Sequence, residues 1–566
     1  FAGIKMLGIL IISIPLLVYV IGALSVARKD LNHPDDFFVA YKKVGITAFS
    51  SSSIAYAFQV STVYPFLLWG ASNFYFVPAI NTIGWGLGIL LFYFSFSKYK
   101  QFIGRDETLH GFLGSYYGLS VRKVASYLTI IGFIGFALAE TYFGSKVLLS
   151  IITDKNIFYL IIFISLVFVF GYISYGGQLS SIRTDQLQLI ISYAGIFGII
   201  LYFLYLIMAR EIIVTGFLSL SFLIIVIYIP IILSNRKFRF IKISESDSLG
   251  NRTINSSLNI LISILLIVIF ITSIYNLYNS GISFNFSKFF SIEGFGIPGL
   301  ISLSILPLCW QFVDLTNWQR LLSVKPDSSN TINSIHKNIK KGLLVYAFES
   351  PFTWIIFLFF GLLTINALPQ FTFQDLLIDI PKQLISSDDL FQNFWGYTFI
   401  VSILAIMLST VDSFIVGIIF TYVYDSNSKT RTLIDGKENF IIKKNYKKIT
   451  NTGKLFGFLI VLLSMTLFIV FDKNVPNGGE LFINLLLAFY SAQLSFFPLI
   501  FGILFLKKRP STFWAILSML IGSSSGIALG IYAVIWNYEL IWFPIIICLL
   551  ASIIFYTIGY IGAKND

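Results

Sequence analysis

Four polar side chains fall within five positions of an otherwise apolar run. They are Ser409, Thr410, Asp412 and Ser413 in LSTVDSFIVG, residues 408–417. Ser409 and Ser413 are spaced i, i+4 and share one helical face, with Asp412 beside it. Hydroxyl oxygens joined by carbonyls from another helix can complete a small oxygen cage suited to Na+. The plainer alternative is Ser/Thr packing between helices, which is common for one residue and a poorer account of a hydroxyl pair beside a carboxylate.

A second concentration lies in GITAFSSSSIAYAFQVSTVYPFLLWGA, residues 45–71. Ser50 to Ser53 run consecutively, followed by Gln59, Ser61, Thr62 and Pro65. Proline removes an amide donor and clashes with the preceding turn. A helix interrupted here exposes carbonyls near Ala57 and Val60, and such carbonyls are good ligands for a hard cation. The alternative is a Pro-kinked helix whose hydroxyls bond back to their own backbone. A third concentration is YGGQLSSIRTDQLQLII, residues 175–191, where Gly176 and Gly177 end one apolar run and Thr184, Asp185 and Gln188 open the next. Thr184 or Asp185 either caps a helix or lends charge to an ion route.

Polar groups in hydrocarbon are costly without partners, so they mark interiors and pathways. Glu140, Lys146, Asp314 and Glu349 also fall within apolar runs. Glu140 and Lys146 are six apart, off a common face, and are not expected to pair. His33, His110 and His336 all fall in expected inner loops, which argues against an embedded enzyme or metal site built on histidine.

The elements that must position these residues are membrane helices. The 566 residues are 57% hydrophobic and 12% charged, with mean hydropathy +0.84. Apolar runs near twenty residues recur along the length, too long and unbroken for barrel strands. The fold class is therefore an all-α polytopic membrane protein of about fifteen transmembrane helices. They are expected near 5–27, 45–71, 74–97, 122–152, 157–176, 183–209, 213–234, 256–279, 296–318, 340–366, 394–424, 453–472, 480–506, 510–536 and 540–561. GWGLG (84–88) lies inside a span, where small residues serve close packing. The first residue is Phe, so the true start is expected to be missing, and the first apolar run is long enough to span rather than to be a cleaved signal.

With the N-terminus outside and alternating spans, the expected inner loops hold 32 of the 39 Lys and Arg residues. The exceptions are Lys5, Lys146, Lys155, Arg210, Lys288, Lys382 and Lys473. That bias places the C-terminus in the cytoplasm and accounts for the net charge of +12 without nucleic acid. The basic stretch 425–454 reads as a solvated connector. Cys309 and Cys548 both fall in spans and read as packing residues rather than a disulfide.

Five segments, in order, resemble the sodium:solute symporter family. They are DDFFVAYKKVG (35–45), GGQLSSIRTDQLQ (176–188), NWQRLLSVK (317–325), LSTVDS (408–413) and PLIFGILFLKKRPSTFWAILSMLIG (498–522). The resemblance implies a leucine-transporter-type fold of two inverted five-helix repeats with a substrate site near the midplane. The repeats would be 45–209 and 296–506. Residues 1–44 would add an N-terminal helix and inner loop, 210–295 an inserted helix pair, and 507–566 the last helices. The inserted pair would form a packing, homo-oligomer or accessory-subunit surface.

By the same resemblance, a Na+ site would take carbonyls of Ala57, Val60 and Ile406 and hydroxyls of Ser409 and Thr410. A second site would draw on Asp185, Ser413 and Asp412. Val63 and Tyr64 stand where sugar carriers have polar residues, and QVSTV (59–63) with DLTNWQR (314–320) look nearer to urea-type and other small-polar-solute members. Polarity and depth nominate Gln59, Ser61, Tyr64, Asn81, Glu140, Asp314, Tyr490 and Gln493 for the solute. The expected function is Na+-coupled symport of a small polar organic solute by alternating access, in the plasma membrane. The alternative is a transporter-like sensory module that binds solute without net transport. A membrane enzyme is the third reading, and the histidine positions speak against it.

Overall fold

The computed structural model describes residues 33–99, 108–207, 290–326, 332–368, 375–427, 439–474, 478–506, 508–537 and 540–563. The expected spans 5–27, 213–234 and 256–279 lie outside them. Among the described residues, ten helices are long and apolar enough to cross a membrane. The chain is a multi-pass, all-helical membrane protein.

In chain order the helices are α1 (Pro34–Phe38), α2 (Ile46–Ala57), α3 (Val60–Ala71), α4 (Phe76–Ser95), α5 (Leu109–Tyr117), α6 (Leu119–Ser145) and α7 (Lys155–Ile207). They continue with α8 (Gly296–Val313), α9 (Leu315–Ser323), α10 (Ile332–Ala367), α11 (Leu376–Ile385) and α12 (Leu390–Thr421). The last are α13 (Asn439–Asn474), α14 (Gly478–Leu494), α15 (Phe497–Phe505), α16 (Thr512–Ile535) and α17 (Phe543–Ile561). The gaps between expected spans at 98–121 and 367–393 are not bare loops: they contain α5 and α11. The basic connector 425–454 is also partly helical, because α13 begins at Asn439.

Two helices are broken at mid-length. α2 stops at Ala57, Phe58 leaves the helical region with φ −84° and ψ 64°, Gln59 is extended, and α3 starts at Val60. Pro65 sits inside α3 rather than at the break. The Pro65 ring leaves the Ser61 carbonyl without its helical donor, but the interruption itself lies six residues earlier. The segment expected as one span, 296–318, is likewise split. α8 ends at Val313, and Asp314, with φ −70° and ψ 107°, caps α9. The span expected over 480–506 also divides, at a turn between α14 and α15.

α12 forms the axis. Its apolar length is almost wholly buried, and it packs on α6 and α7. α13 and α17, by contrast, carry rows of exposed leucine, isoleucine and phenylalanine, a composition fit for lipid contact. α7 bends at Gly177, where φ is 59° and ψ −143°. A Cβ there would lie 1.9 Å from the Phe37 carbonyl oxygen, so the glycine permits both the bend and the approach of α1. In GWGLG, a Cβ on Gly88 would lie 2.4 Å from the Pro307 carbonyl oxygen. That glycine lets α4 lie against α8.

At one end of the bundle the two broken helices are tied together. The segment before α2 runs parallel to the segment after α9 at Val44 and Val324. The Val44 amide donates to the Ser323 carbonyl at 2.8 Å, and the Lys325 amide to the Val44 carbonyl at 2.8 Å. At the opposite end, Trp69, Phe295 and Trp542 cluster, with ring centroids 5.3 and 5.4 Å apart.

Candidate functional site

Three of the four serine hydroxyls of α2 bond back to their own turn. Ser50, Ser51 and Ser53 donate to the carbonyls of Ile46, Thr47 and Phe49 at 2.9 Å each. Ser52 does not. Its Oγ donates across to the Asp185 carboxylate at 2.5 Å. On α12 the same contrast holds. Thr410 donates back to the Ile406 carbonyl at 3.0 Å, whereas Ser409 Oγ donates to Asp185 Oδ1 at 2.6 Å. Asp185 therefore joins α2, α7 and α12, and it is not a helix cap.

The fourth member is Arg320 of α9. It is 1% exposed, although its place at the end of an apolar run reads as an inner-loop charge. Its Nε donates to Ser52 Oγ at 2.9 Å, its Nη2 donates to Ser413 Oγ at 2.9 Å, and Nη2 lies 3.5 Å from Asp185 Oδ2. The guanidinium also sits over the Tyr56 ring, 4.9 Å from its centroid. A cation at the nominated second site would have to displace this guanidinium from Ser413 and Asp185. Asp412, the other nominee, accepts from Tyr172 at 2.6 Å, Ser181 at 2.8 Å and Thr184 at 3.3 Å. Its oxygens hold α7 to α12 through hydroxyl donors.

The nominated first cage is partly engaged. Ala57, at the end of α2, offers a carbonyl that already accepts from Trp354 Nε1 at 3.2 Å. Val60, Ile406, Ser409 and Thr410 are all buried. The donor set is all oxygen, the chemistry a hard monovalent cation requires.

The solute nominees separate into groups. Ser61, Asn81 and Tyr490 line a cavity with an empty volume of about 550 Å³, part of it open to the exterior. Thr62, Trp85 and Trp354 line it too, and none of these was singled out as a solute contact. Their signal in the sequence was only that of aromatic and hydroxyl residues in apolar runs. Glu140 sits behind the cavity wall and closes the second half of the broken helix. Its two carboxylate oxygens accept the amides of Val60 at 2.8 Å and Ser61 at 2.9 Å, and the Ser61 hydroxyl also bonds to it.

Asp314 occupies the equivalent end of α9. Its Oδ1 accepts from the Thr316 amide at 2.9 Å, the Thr316 hydroxyl at 2.6 Å and Tyr56 at 3.2 Å. Its buried Oδ2 has no hydrogen-bond partner. Tyr64 turns away from the cavity and packs on Phe143 of α6. Gln493 is buried with both amide atoms unpartnered, next to Gly132. Gln59, at the break, is buried.

No protein-family model matches the chain, and no curated protein matches it in sequence. Among solved structures, a Na+-coupled sialic acid symporter in a substrate-bound outward-open state is similar over 99% of both chains, with a TM-score of 0.65 and 14% identity. A nucleobase-cation-symport-1 transporter, Mhp1, aligns over 93% of this chain at 11% identity, with a TM-score of 0.46 in a closed conformation and 0.41 in an inward-facing one. The symporter match extends over the whole length, so the chain shares that leucine-transporter-type fold.

Lys146 pairs with Asp375 at 2.5 Å, not with Glu140. His110 corrects a sequence expectation, because it is not in a solvated loop. It is fully buried on α5, with Nδ1 2.8 Å from Asp425 Oδ2 and Nε2 2.9 Å from Thr129 Oγ1. Arg122 and Thr108 complete that cluster on Asp425 at 2.7 and 2.8 Å. The cluster fastens α5 and α6 to the end of α12, far along the chain from the broken helices, and contributes nothing to the cavity.

Proposed function

We propose that the chain is a secondary active transporter that couples inward Na+ flow to uptake of a small polar organic solute. The observation that carries this reading is the bridge Ser52–Asp185–Ser409. It joins the broken helix α2/α3 to the hydroxyl-bearing turn of α12 through a carboxylate. The ion is assigned to the carbonyls of Ala57, Val60 and Ile406 and the hydroxyls of Ser409 and Thr410. Na+ bound there would hold α2/α3 against α12 and favour the state with the cavity assembled. A ligand shifts such an equilibrium only by its differential affinity for the two states.

The paired breaks at Phe58–Gln59 and Asp314 support two inverted repeats over 45–209 and 296–506, within a chain of about fifteen spans. The closed strand-like contact at Val44 and Val324 lies at the end assigned to the cytoplasm, so the cavity would open outward. The plasma membrane is the assigned location, with the N-terminus outside and the C-terminus inside.

The experiment is a comparison of Na+ with K+ on the purified full chain in nanodiscs. Na+ should raise the unfolding temperature saturably, K+ should not, and Ser409→Ala with Thr410→Ala should remove the difference. Equal response to both ions in the unaltered protein would overturn the coupling.

A further inference from the structure

We propose that the cavity takes an uncharged solute with a ring-shaped apolar body and N–H donors along one edge, accepted by the Ser61 carbonyl and the Asn81 amide oxygen. The inference rests on the reading of the cavity as the solute site, and it names the class of solute.

The first argument is charge. No Asp, Glu, Lys, Arg or His is among the described residues that line the cavity. A charged group held there would leave water for an apolar wall without a counter-charge, which is costly. An uncharged solute meets no such penalty.

The second argument is the wall. Trp85, Trp354, Phe66 and Trp69 follow one another along it, with successive ring centroids 4.7, 5.4 and 5.3 Å apart. Leu303 and Leu306 of α8 and Leu486 and Leu487 of α14 add aliphatic surface. A ring gains a large apolar contact on such a surface, in offset or edge geometry. A polyhydroxylated solute would turn most of its hydroxyls towards carbon and lose their hydrogen bonds to water.

The third argument comes from two prolines. Ser61, Pro65 and Trp69 are spaced i, i+4 and i+8 on α3, and all three line the cavity, so this face of α3 is turned to it. Pro65 has no N–H for the Ser61 carbonyl, and among the described residues no side chain donates to that carbonyl. Pro307 withholds the same bond from the Leu303 carbonyl on α8, again at the cavity wall. There a substitute donor is present: Asn81 Nδ2 donates to the Leu303 carbonyl at 2.7 Å. With its NH2 end committed, Asn81 has its amide oxygen left to accept. The Ser61 hydroxyl is engaged with Glu140. The Ser61 carbonyl and the Asn81 amide oxygen both accept, so the solute must bring the donors.

The wall also touches a ligand of the proposed ion. Trp354 Nε1 donates to the Ala57 carbonyl at 3.2 Å. A solute packed on Trp354 therefore bears on that carbonyl.

The test uses the full chain in nanodiscs and five probes: benzamide, acetophenone, benzoate, benzylamine and glucose, each in Na+ and in K+. Equilibrium binding and thermal stabilisation are read. Benzamide should bind, and benzoate, protonated benzylamine and glucose should each bind at least about tenfold more weakly. Acetophenone keeps the outline and the carbonyl but has no N–H, and it should bind about fivefold more weakly than benzamide. Pro65→Ala returns an amide donor to the Ser61 carbonyl and suits a helix. Asn81→Ala removes the other acceptor. Each should shrink the preference for benzamide over acetophenone, and the two together should abolish it. That ratio is read within one variant, so a general loss of stability does not produce the change.

No binding of benzamide, equal binding of a charged probe or of glucose, or a benzamide preference unchanged in both variants would each overturn the proposal. A Na+-specific stabilisation of the unaltered protein would survive those results. Benzamide binding that is identical in Na+ and K+ would leave the class of solute standing and overturn the coupling instead.

Discussion

Arg320 Nη2 lies 2.9 Å from Ser413 Oγ and 3.5 Å from Asp185 Oδ2, deep in the bundle. A guanidinium on α9 thus supplies the positive charge that joins the second broken helix to α7 and α12. Both broken helices meet the same carboxylate, α2 through Ser52 and α9 through Arg320. A change at either break is felt at Asp185.

Removing that cation should be severe. Arg320→Ala leaves Asp185 buried without its ion pair, a change worth about 3–5 kcal/mol when one partner of a buried pair is lost. Thermal unfolding in nanodiscs should show a large drop, or no folded protein. Arg320→Lys should be intermediate, because an ammonium cannot reproduce three directed contacts.

Glu140 should rank as a helix-closing residue in stability. Glu140→Ala frees two buried amides and a hydroxyl, at about 1–3 kcal/mol for unsatisfied groups. Glu140→Gln keeps one accepting oxygen and should fall between it and the unaltered protein. A stability order of Ala, then Gln, then Glu checks this.

Gly177→Ala should fail on two counts. The backbone region with φ 59° and ψ −143° costs about 1–3 kcal/mol for a residue with a side chain. The added Cβ would also meet the Phe37 carbonyl oxygen at 1.9 Å. Monodisperse yield after detergent extraction should fall sharply, while Gly171→Ala, with nothing within 4 Å of its Cβ position, should leave it unchanged.

The Val44–Val324 contact should part during transport. In a background lacking Cys309 and Cys548, Val44→Cys with Val324→Cys should form a disulfide under mild oxidation. Oxidation should stop solute uptake and reduction should restore it, with Na+ binding retained throughout. Uptake that continues with the disulfide formed would show that this end does not open.

Much of this was legible in the residues. The hydroxyls at 409 and 410, the serines of α2, and Asp185 drew attention because polar groups in apolar runs are costly. The interruption near Ala57 was expected, but Pro65 was the wrong marker for it. A proline is tolerated inside a membrane helix where neighbours satisfy the freed carbonyl, whereas the break at Phe58–Gln59 carries neither Gly nor Pro.

The break at Asp314 was hidden for a similar reason: nothing in CWQFVDLTNW reads as punctuation except the aspartate, which caps α9. Arg320 was missed because a basic residue near the end of an apolar run normally marks a membrane edge. Its burial depends on Ser52, Asp185 and Ser413, which lie 93 to 268 positions away. Spacing along one helix cannot reveal such a cluster.

Na+ held between α2/α3 and α12 is proposed to drive uptake. The most direct measurement is uptake of a solute found to stabilise the protein, into proteoliposomes of the full chain, with an inward Na+ gradient or with K+ in its place. Accumulation above the outside concentration is expected with Na+, and simple equilibration at most with K+. In Ser409→Ala with Thr410→Ala, accumulation should be lost. Concentrative uptake in K+, or Na+-driven accumulation that persists in that double variant, would contradict it.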